Sequence, residues 1–163
     1  VPLILQIVGY SNSGKTTVAE KLVQLFTRHG FKVGVVKHDV HGFEVDQPGK
    51  DTYRYRQAGG VKVGILGPGK AAFMVEREVL LEEVFEFYRD MDLILVEGFK
   101  NRPFPRIEVI RSEIYQEPFS PPELLVAVVS DLNLEVDCPV FGFGEIDNLF
   151  QFLLKYFEKG GGV

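Results

Sequence analysis

Nine residues near the start of the chain can do chemistry by type and spacing alone. Gly9-Tyr10-Ser11-Asn12-Ser13-Gly14-Lys15-Thr16-Thr17 contains the pattern G-x-x-x-x-G-K-S/T, a loop whose backbone N–H groups curl around phosphate oxygens. Gly9 and Gly14 give the backbone freedom to turn inward. Ser11, Asn12 and Ser13 line the curl. Lys15 is spaced to reach β- and γ-phosphates, and Thr16 to place its hydroxyl on a magnesium ion. Ser13 and Thr17 are candidates for extra phosphate contacts.

A second chemical signal lies in Asp92-Leu93-Ile94-Leu95-Val96-Glu97-Gly98. The apolar run reads as a buried strand with Glu97 at its carboxyl end, where an acid holds magnesium or orders an attacking water. Lys15 and Glu97 are therefore the catalytic candidates. The plainer reading of Glu97 is the first residue of the next loop. Asp92 is a poor candidate, because five strand residues put it ~16 Å away.

The stretch from Lys37 to Asp51 places His38, His41, Asp39, Glu44, Asp46 and Asp51 in one loop after a strand. It reads as a switch-like loop meeting a terminal phosphate, the metal or a second substrate, with Asp39 and Asp46 as magnesium candidates. A transition-metal site and a solvated polar loop are the alternatives. Lys100, Arg102 and Arg106 form a basic loop that either neutralises an anion or is solvated. Asp131 ends another apolar run. A carboxylate there can accept the N1–H and exocyclic amine of guanine, a donor pair that adenine lacks; a helix cap or turn is the alternative.

Secondary structure must position these groups. Leu3 to Val8 is short, apolar and β-branched, as in a buried parallel strand. Val18, Leu22, Leu25 and Phe26 make one helical stripe after the loop. Lys32 to Lys37 reads as the next strand, which implies a right-handed parallel crossover. Asp51 reads as the cap of a helix through Ala58. Val61 to Leu66 and Ala71 to Val75 pair as a hairpin across Gly67-Pro68-Gly69. Val79 to Tyr88 is an amphipathic helix, Ile107 to Arg111 an alternating strand, Leu124 to Asp131 a buried strand and Cys138 to Phe143 a last one. Glu145 to Glu158 closes the chain as a helix, and glycines 160–162 fray after it. The expected fold is α/β, a mostly parallel twisted sheet flanked by helices with a β-hairpin extension, in one domain spanning 1–163.

The bulk properties are those of a globular chain: 163 residues, 45% hydrophobic, 25% charged, net charge −5. Spread-out lysines and arginines give no footprint for nucleic acid or membrane. No run approaches the ~20 apolar residues of a membrane span, and no signal peptide is visible. One cysteine, Cys138, allows no intrachain disulfide and fits a reducing cytoplasm.

Taken together, four stretches resemble a known family: GYSNSGKTT at 9–17, VKHDVHGFEVDQPGKDTYRYRQAGG at 36–60, DLILVEGFK at 92–100 and VAVVSD at 126–131. The chain is similar to the molybdopterin-guanine dinucleotide biosynthesis protein B (MobB) family of P-loop GTP-binding proteins. The resemblance implies GTP and Mg2+ as cofactors, at most a weak GTPase activity, and an adaptor role in molybdenum cofactor biosynthesis. It implies a guanylyltransferase partner, with molybdopterin or a molybdoenzyme as further partners. It also implies a homodimer, for which Ala71–Val75 and Ile107–Arg111 are the candidate intersubunit strands. One departure is visible: the family carries a further histidine pair and a threonine after Lys37-His38, where this chain has Asp39-Val40-His41-Gly42.

A small-molecule or nucleotide kinase is the alternative on the same fold. It needs an arginine-rich lid, and only the short loop from Lys100 to Arg106 is lid-like. A nickel-delivery GTPase would want a Cys-Pro-His or His-rich site, in which Cys138 is not placed. No catalytic glutamine or arginine finger stands in the phosphate loop, which fits slow turnover.

Overall fold

Leu3–Val8 forms β1, and four of its apolar side chains are buried. In the computed structural model, which describes residues 1–161, it lies inside a six-stranded sheet. Gly162, the last of the glycines expected to fray, lies outside the described residues. The other strands are β2 (Val33–Lys37), β5 (Leu93–Glu97), β6 (Arg106–Ile110), β7 (Leu125–Ser130) and β8 (Val140–Phe141), in the order β2-β5-β1-β6-β7-β8. Every pairing is parallel. Parallel strands need both faces covered, and the apolar runs of β1, β5 and β7 meet that need.

Two helices close the core. α1 (Lys15–Arg28) buries Val18, Ala19, Leu22 and Phe26, and α4 (Ile146–Glu158) buries Ile146, Leu149, Phe150 and Leu153. Phe26 and Phe150 meet edge to face at 4.9 Å. Each such side chain contributes about 1.5–3 kcal/mol by leaving water, so this cluster anchors the sheet.

The chain divides into two compact units, Val1–His38 with Tyr88–Val163, and Asp39–Phe87. The second holds α2 (Asp51–Gln57), α3 (Leu81–Phe87) and the expected hairpin, β3 (Lys62–Gly67) paired antiparallel with β4 (Lys70–Val75). Of its apolar side chains, Val63 and Leu81 are buried, while Ile65, Leu66 and Phe73 are exposed. Its polar centre is Arg56, whose guanidinium reaches Glu44 at 2.5 Å, Glu76 at 2.7 Å and Asp46 at 3.7 Å.

Three expectations are corrected. Ile107–Arg111 is no intersubunit strand: β6 lies between β1 and β7 and all five of its residues are buried. The alternation that suggested a half-exposed strand comes from Glu108, which is buried because it accepts the N–H groups of Phe119 (3.0 Å) and Ser120 (3.2 Å). Asp51 is not the cap of α2. It is the first helical residue, after Lys50, and favours the helix as an acid in its first turn. The last strand is reduced to Val140–Phe141, leaving Cys138 outside it, half-buried and with its thiol pKa pushed up by burial.

Candidate phosphate site

The loop 9–14 leaves the carboxyl end of β1 and enters α1 directly. Gly14 precedes the helix with φ 99°, a left-handed conformation that only glycine adopts cheaply. Asn12 is also left-handed, at φ 64°. Such turns aim successive N–H groups into one concavity, an anion nest. No side chain caps α1, so the N–H groups of its first turn remain available to a ligand. A Cβ on Gly9 would stand 2.6 Å from the Val109 carbonyl oxygen and 2.7 Å from Ser13 Oγ, so a side chain there would break the packing of loop on sheet.

Within the loop the residues divide by direction. Tyr10, Ser11, Asn12, Thr16 and Thr17 are exposed. Ser13 is turned inward: its N–H donates to Tyr10 O at 3.2 Å and its hydroxyl is buried. Lys15 Nζ donates to Gly9 O (2.8 Å) and Tyr10 O (3.0 Å), spanning the loop's own mouth. Burial lowers its pKa from the ordinary lysine value; nearby Glu97 opposes this, and Lys100 and Lys37 add to it. The charges of Glu97, Lys100 and Lys37 are therefore all felt at the Lys15 ammonium.

Register explains why the charge of Glu97 is felt at Lys15. Ile7 of β1 and Lys37 of β2 both lie level with Glu97 of β5, so three strands deliver the loop, a lysine and a carboxylate to one edge. The turn after Glu97 is left-handed at Gly98 (φ 87°) and Phe99 (φ 54°). Gln6, fully buried in β1, holds it by donating to Gly98 O and Phe99 O, both at 2.6 Å. Phe99 stacks on His38 with ring centroids 4.3 Å apart. A Cβ on Gly98 would press on His38 Cβ at 3.2 Å.

Asp131, just beyond β7, lies at the same carboxyl edge of the sheet. Its Oδ1 accepts the Ser112 N–H (2.8 Å) and its Oδ2 the Ser112 hydroxyl (2.7 Å). These bonds lower its pKa, the side-chain one most, so it stays an anion with lone pairs to spare. It lines a cleft of about 360 Å³ with Ser130, Asn133, Val140, Gly142 and Glu145. Arg111 lies over the Phe143 ring at 4.1 Å, and a Cβ on Gly14 would meet both at 3.1 Å. This cation–π pair flanks the phosphate loop.

Thr16 and Glu97, two of the proposed metal-binding residues, thus belong to the sheet unit. Asp46 lies in the second unit, where it accepts from Thr52 Oγ1 (3.1 Å) and the Gln47 N–H (3.0 Å) beside Arg56. Asp39 accepts the His41 N–H at 3.0 Å. Among the described residues no three His, Cys, Asp or Glu side chains converge as a metal cluster. Sequence reasoning missed Gln6, Lys37, Arg111, Ser112 and Phe143 as site residues. The signal for Lys37, Arg111 and Ser112 was their place at the carboxyl ends of strands.

Backbone N–H groups, a lysine and a carboxylate thus stand at one edge of the sheet, on a chain that is similar to known proteins. The profile of MobB, molybdopterin guanine dinucleotide synthesis protein B, matches residues 4–131. The molybdopterin-guanine dinucleotide biosynthesis adapter protein of Haemophilus influenzae is 38% identical over all of this chain and 93% of its own. The protein of the same name from Escherichia coli is 31% identical over 99% of this chain and 97% of its own. The crystal structure of Bacillus subtilis MobB superposes with a TM-score of 0.75 at 27% identity, covering 94% of this chain and 96% of that one. The MobB homolog of Bacillus stearothermophilus gives 0.71 at 27% identity over 96% and 98%. The fold is the P-loop NTPase fold of these structures, and the chain belongs to the MobB family.

Proposed function

We propose that the chain is a magnesium-dependent GTP-binding adapter in molybdenum cofactor biosynthesis. In this reading it assists a guanylyltransferase that builds molybdopterin guanine dinucleotide in the cytoplasm. The adapter role rests on the names of its relatives. Nucleotide binding rests on one observation: the loop of residues 9–17 and Glu97 are brought to one sheet edge by the pairing of Ile7 with Glu97.

The donor set fits a nucleoside triphosphate. The nest of N–H groups and Lys15 would hold its phosphates, and Thr16 and Glu97 would hold magnesium directly or through water. When bound, the metal would neutralise charge shared by the β- and γ-phosphates. Asp131, oriented by Ser112, would accept the two guanine donors, and the Arg111–Phe143 pair would wall the nucleotide between base and phosphate. No glutamine or arginine is positioned in the loop to accelerate hydrolysis, so turnover is slow. Arg106 does not serve as a kinase lid, because its guanidinium is buried and donates to the carbonyls of Lys100, Arg102 and Phe104. The exposed Ile65, Leu66 and Phe73 make the hairpin the surface on which two copies would associate as a homodimer.

Equilibrium binding of fluorescent GTP and ATP, with and without magnesium, tests the reading on the wild type and on Asp131→Ala. GTP is expected to bind more tightly than ATP and to need magnesium, with the preference lost in the variant. Equal binding of both nucleotides by the wild type would remove guanine selection.

A further inference from the structure

The basic loop after β5 carries a lysine held at both ends. Lys100 is exposed as a residue, yet its ammonium lies 4.5 Å from the ring centroid of Tyr10 and 4.8 Å from that of Phe119. Its carbonyl accepts a hydrogen bond from Arg106 Nη1 at 3.1 Å. Arg106 is 1% exposed and also donates to Phe104 O and Arg102 O. Just upstream, Gln6 fixes the turn at Gly98 and Phe99. The aromatic pair is braced in turn. Tyr10 packs edge to face on Tyr115 at 4.6 Å, and Tyr115 Oη donates to Val109 O at 2.7 Å. A surface lysine ordinarily gains little by ordering its long side chain. Here buried groups set its backbone and two aromatic faces set its charge.

The location gives the ordering a purpose. Tyr10 is the second residue of the phosphate loop, and its carbonyl is one of the two on which Lys15 Nζ rests. Lys15 reaches toward the β- and γ-phosphates, so the Tyr10 side of the loop is the side of the terminal phosphate. Lys100 adds a second cation at that side, contributed by a different segment. Aromatic faces hold an ammonium without neutralising it, so its positive charge stays available to a ligand, unlike that of a lysine paired with a carboxylate.

We propose that Lys100 reads the terminal phosphate, making the site discriminate nucleoside triphosphate from diphosphate. This rests on the reading of residues 9–17 as a GTP site. Tyr10 and Phe119 keep the ammonium poised and desolvated on one side, and Arg106 keeps its loop from drifting. A γ-phosphate draws the ammonium from the aromatic slot, whereas a diphosphate leaves it there. The occupied loop is then distinguishable from outside by the position of the exposed Lys100 side chain on a fixed backbone, the kind of difference a partner protein can recognise.

The test is titration of the full chain with magnesium-GDP and with magnesium and a slowly hydrolysed GTP analogue, for the wild type, Lys100→Met, Lys100→Arg and Phe119→Leu. Removing a charge-assisted hydrogen bond to the terminal phosphate predicts a fall of about tenfold or more in analogue affinity for Lys100→Met, with GDP affinity held within about twofold. Lys100→Arg keeps most of the discrimination, and Phe119→Leu loses part of it. Equal losses for both nucleotides, or an unchanged ratio, would overturn the proposal. A purely structural lysine would instead lower the melting temperature of Lys100→Met and leave the ratio alone. Failure of the wild type to bind either nucleotide would take down the GTP reading itself, whereas binding with an unmoved ratio would take down only the role of Lys100.

Discussion

The sheet unit and the segment Asp39–Phe87 are held together by different physics. In the first, β1, β5, β6 and β7 are buried along most of their lengths, and α1 and α4 cover a continuous apolar core. In the second, a two-stranded hairpin leaves Ile65, Leu66 and Phe73 exposed, and the principal interior group is a guanidinium among three carboxylates. An isolated hairpin is marginal in water. In the proposed reading, the unit whose backbone is fixed would carry the nucleotide site, and the unit whose apolar groups remain uncovered would carry surface recognition.

The largest difference between the two units is expected in the core. Leu95→Ala should destabilise the protein by about 4 kcal/mol, whereas Leu66→Asn should change stability by less than about 0.5 kcal/mol. Chemical denaturation measures both. If Leu66 and Phe73 form the association surface, the double variant Leu66→Asn with Phe73→Asn converts a dimer to a monomer in sedimentation, with its nucleotide affinity kept. Comparable stability losses at Leu95 and Leu66 would erase the distinction between the units.

Arg56→Met probes the ionic centre. Removing the guanidinium leaves the mostly buried Asp46 carboxylate uncompensated, at a cost of about 3 kcal/mol. Hydrogen exchange should speed up within Asp39–Phe87 and stay slow in β1 and β5. Uniform acceleration would show that the two units open together.

The smallest effect is a titration. The Glu83 carboxyl is lowered from 4.5 to about 2 by its hydrogen bonds from Arg77 and from the Leu80 N–H. A depressed folded-state pKa contributes stability above the unfolded value, lost as pH falls from about 4.5 toward 2. Because the pair is exposed, that contribution is slight. NMR titration should give a Glu83 midpoint near 2 in the wild type and one closer to the ordinary value in Arg77→Gln; equal midpoints would refute the pairing.

The legible parts of this molecule were local. The phosphate loop, its flanking strand and helix, the hairpin and Glu97 are each specified by a few consecutive residues, and they stand where the sequence places them. The partners of those groups were not legible because they depend on strand order. Gln6 reads as a polar break in an apolar strand until β5 is set beside β1 and brings Gly98 and Phe99 within reach of its amide. Ser112 is ordinary until β6 and β7 pair and place it against Asp131. Ile107–Arg111 was misread because a buried glutamate, satisfied by N–H groups of the 119–120 segment, imitates an exposed one in the alternation pattern. No shift in composition marks His38 or Tyr88 as a unit boundary, since the second unit is distinguished by how little apolar surface it buries and not by how much it contains.

The central claim is that the loop of residues 9–17, set against Glu97, is a nucleotide site. Calorimetric titration of magnesium-GTP into the wild type and Lys15→Ala tests it most directly. Saturable binding of one nucleotide per chain is expected, weakened roughly a hundredfold in the variant because a charge-assisted hydrogen bond is removed, with the melting temperature of the free protein little changed. Equal affinity in the two proteins would contradict it.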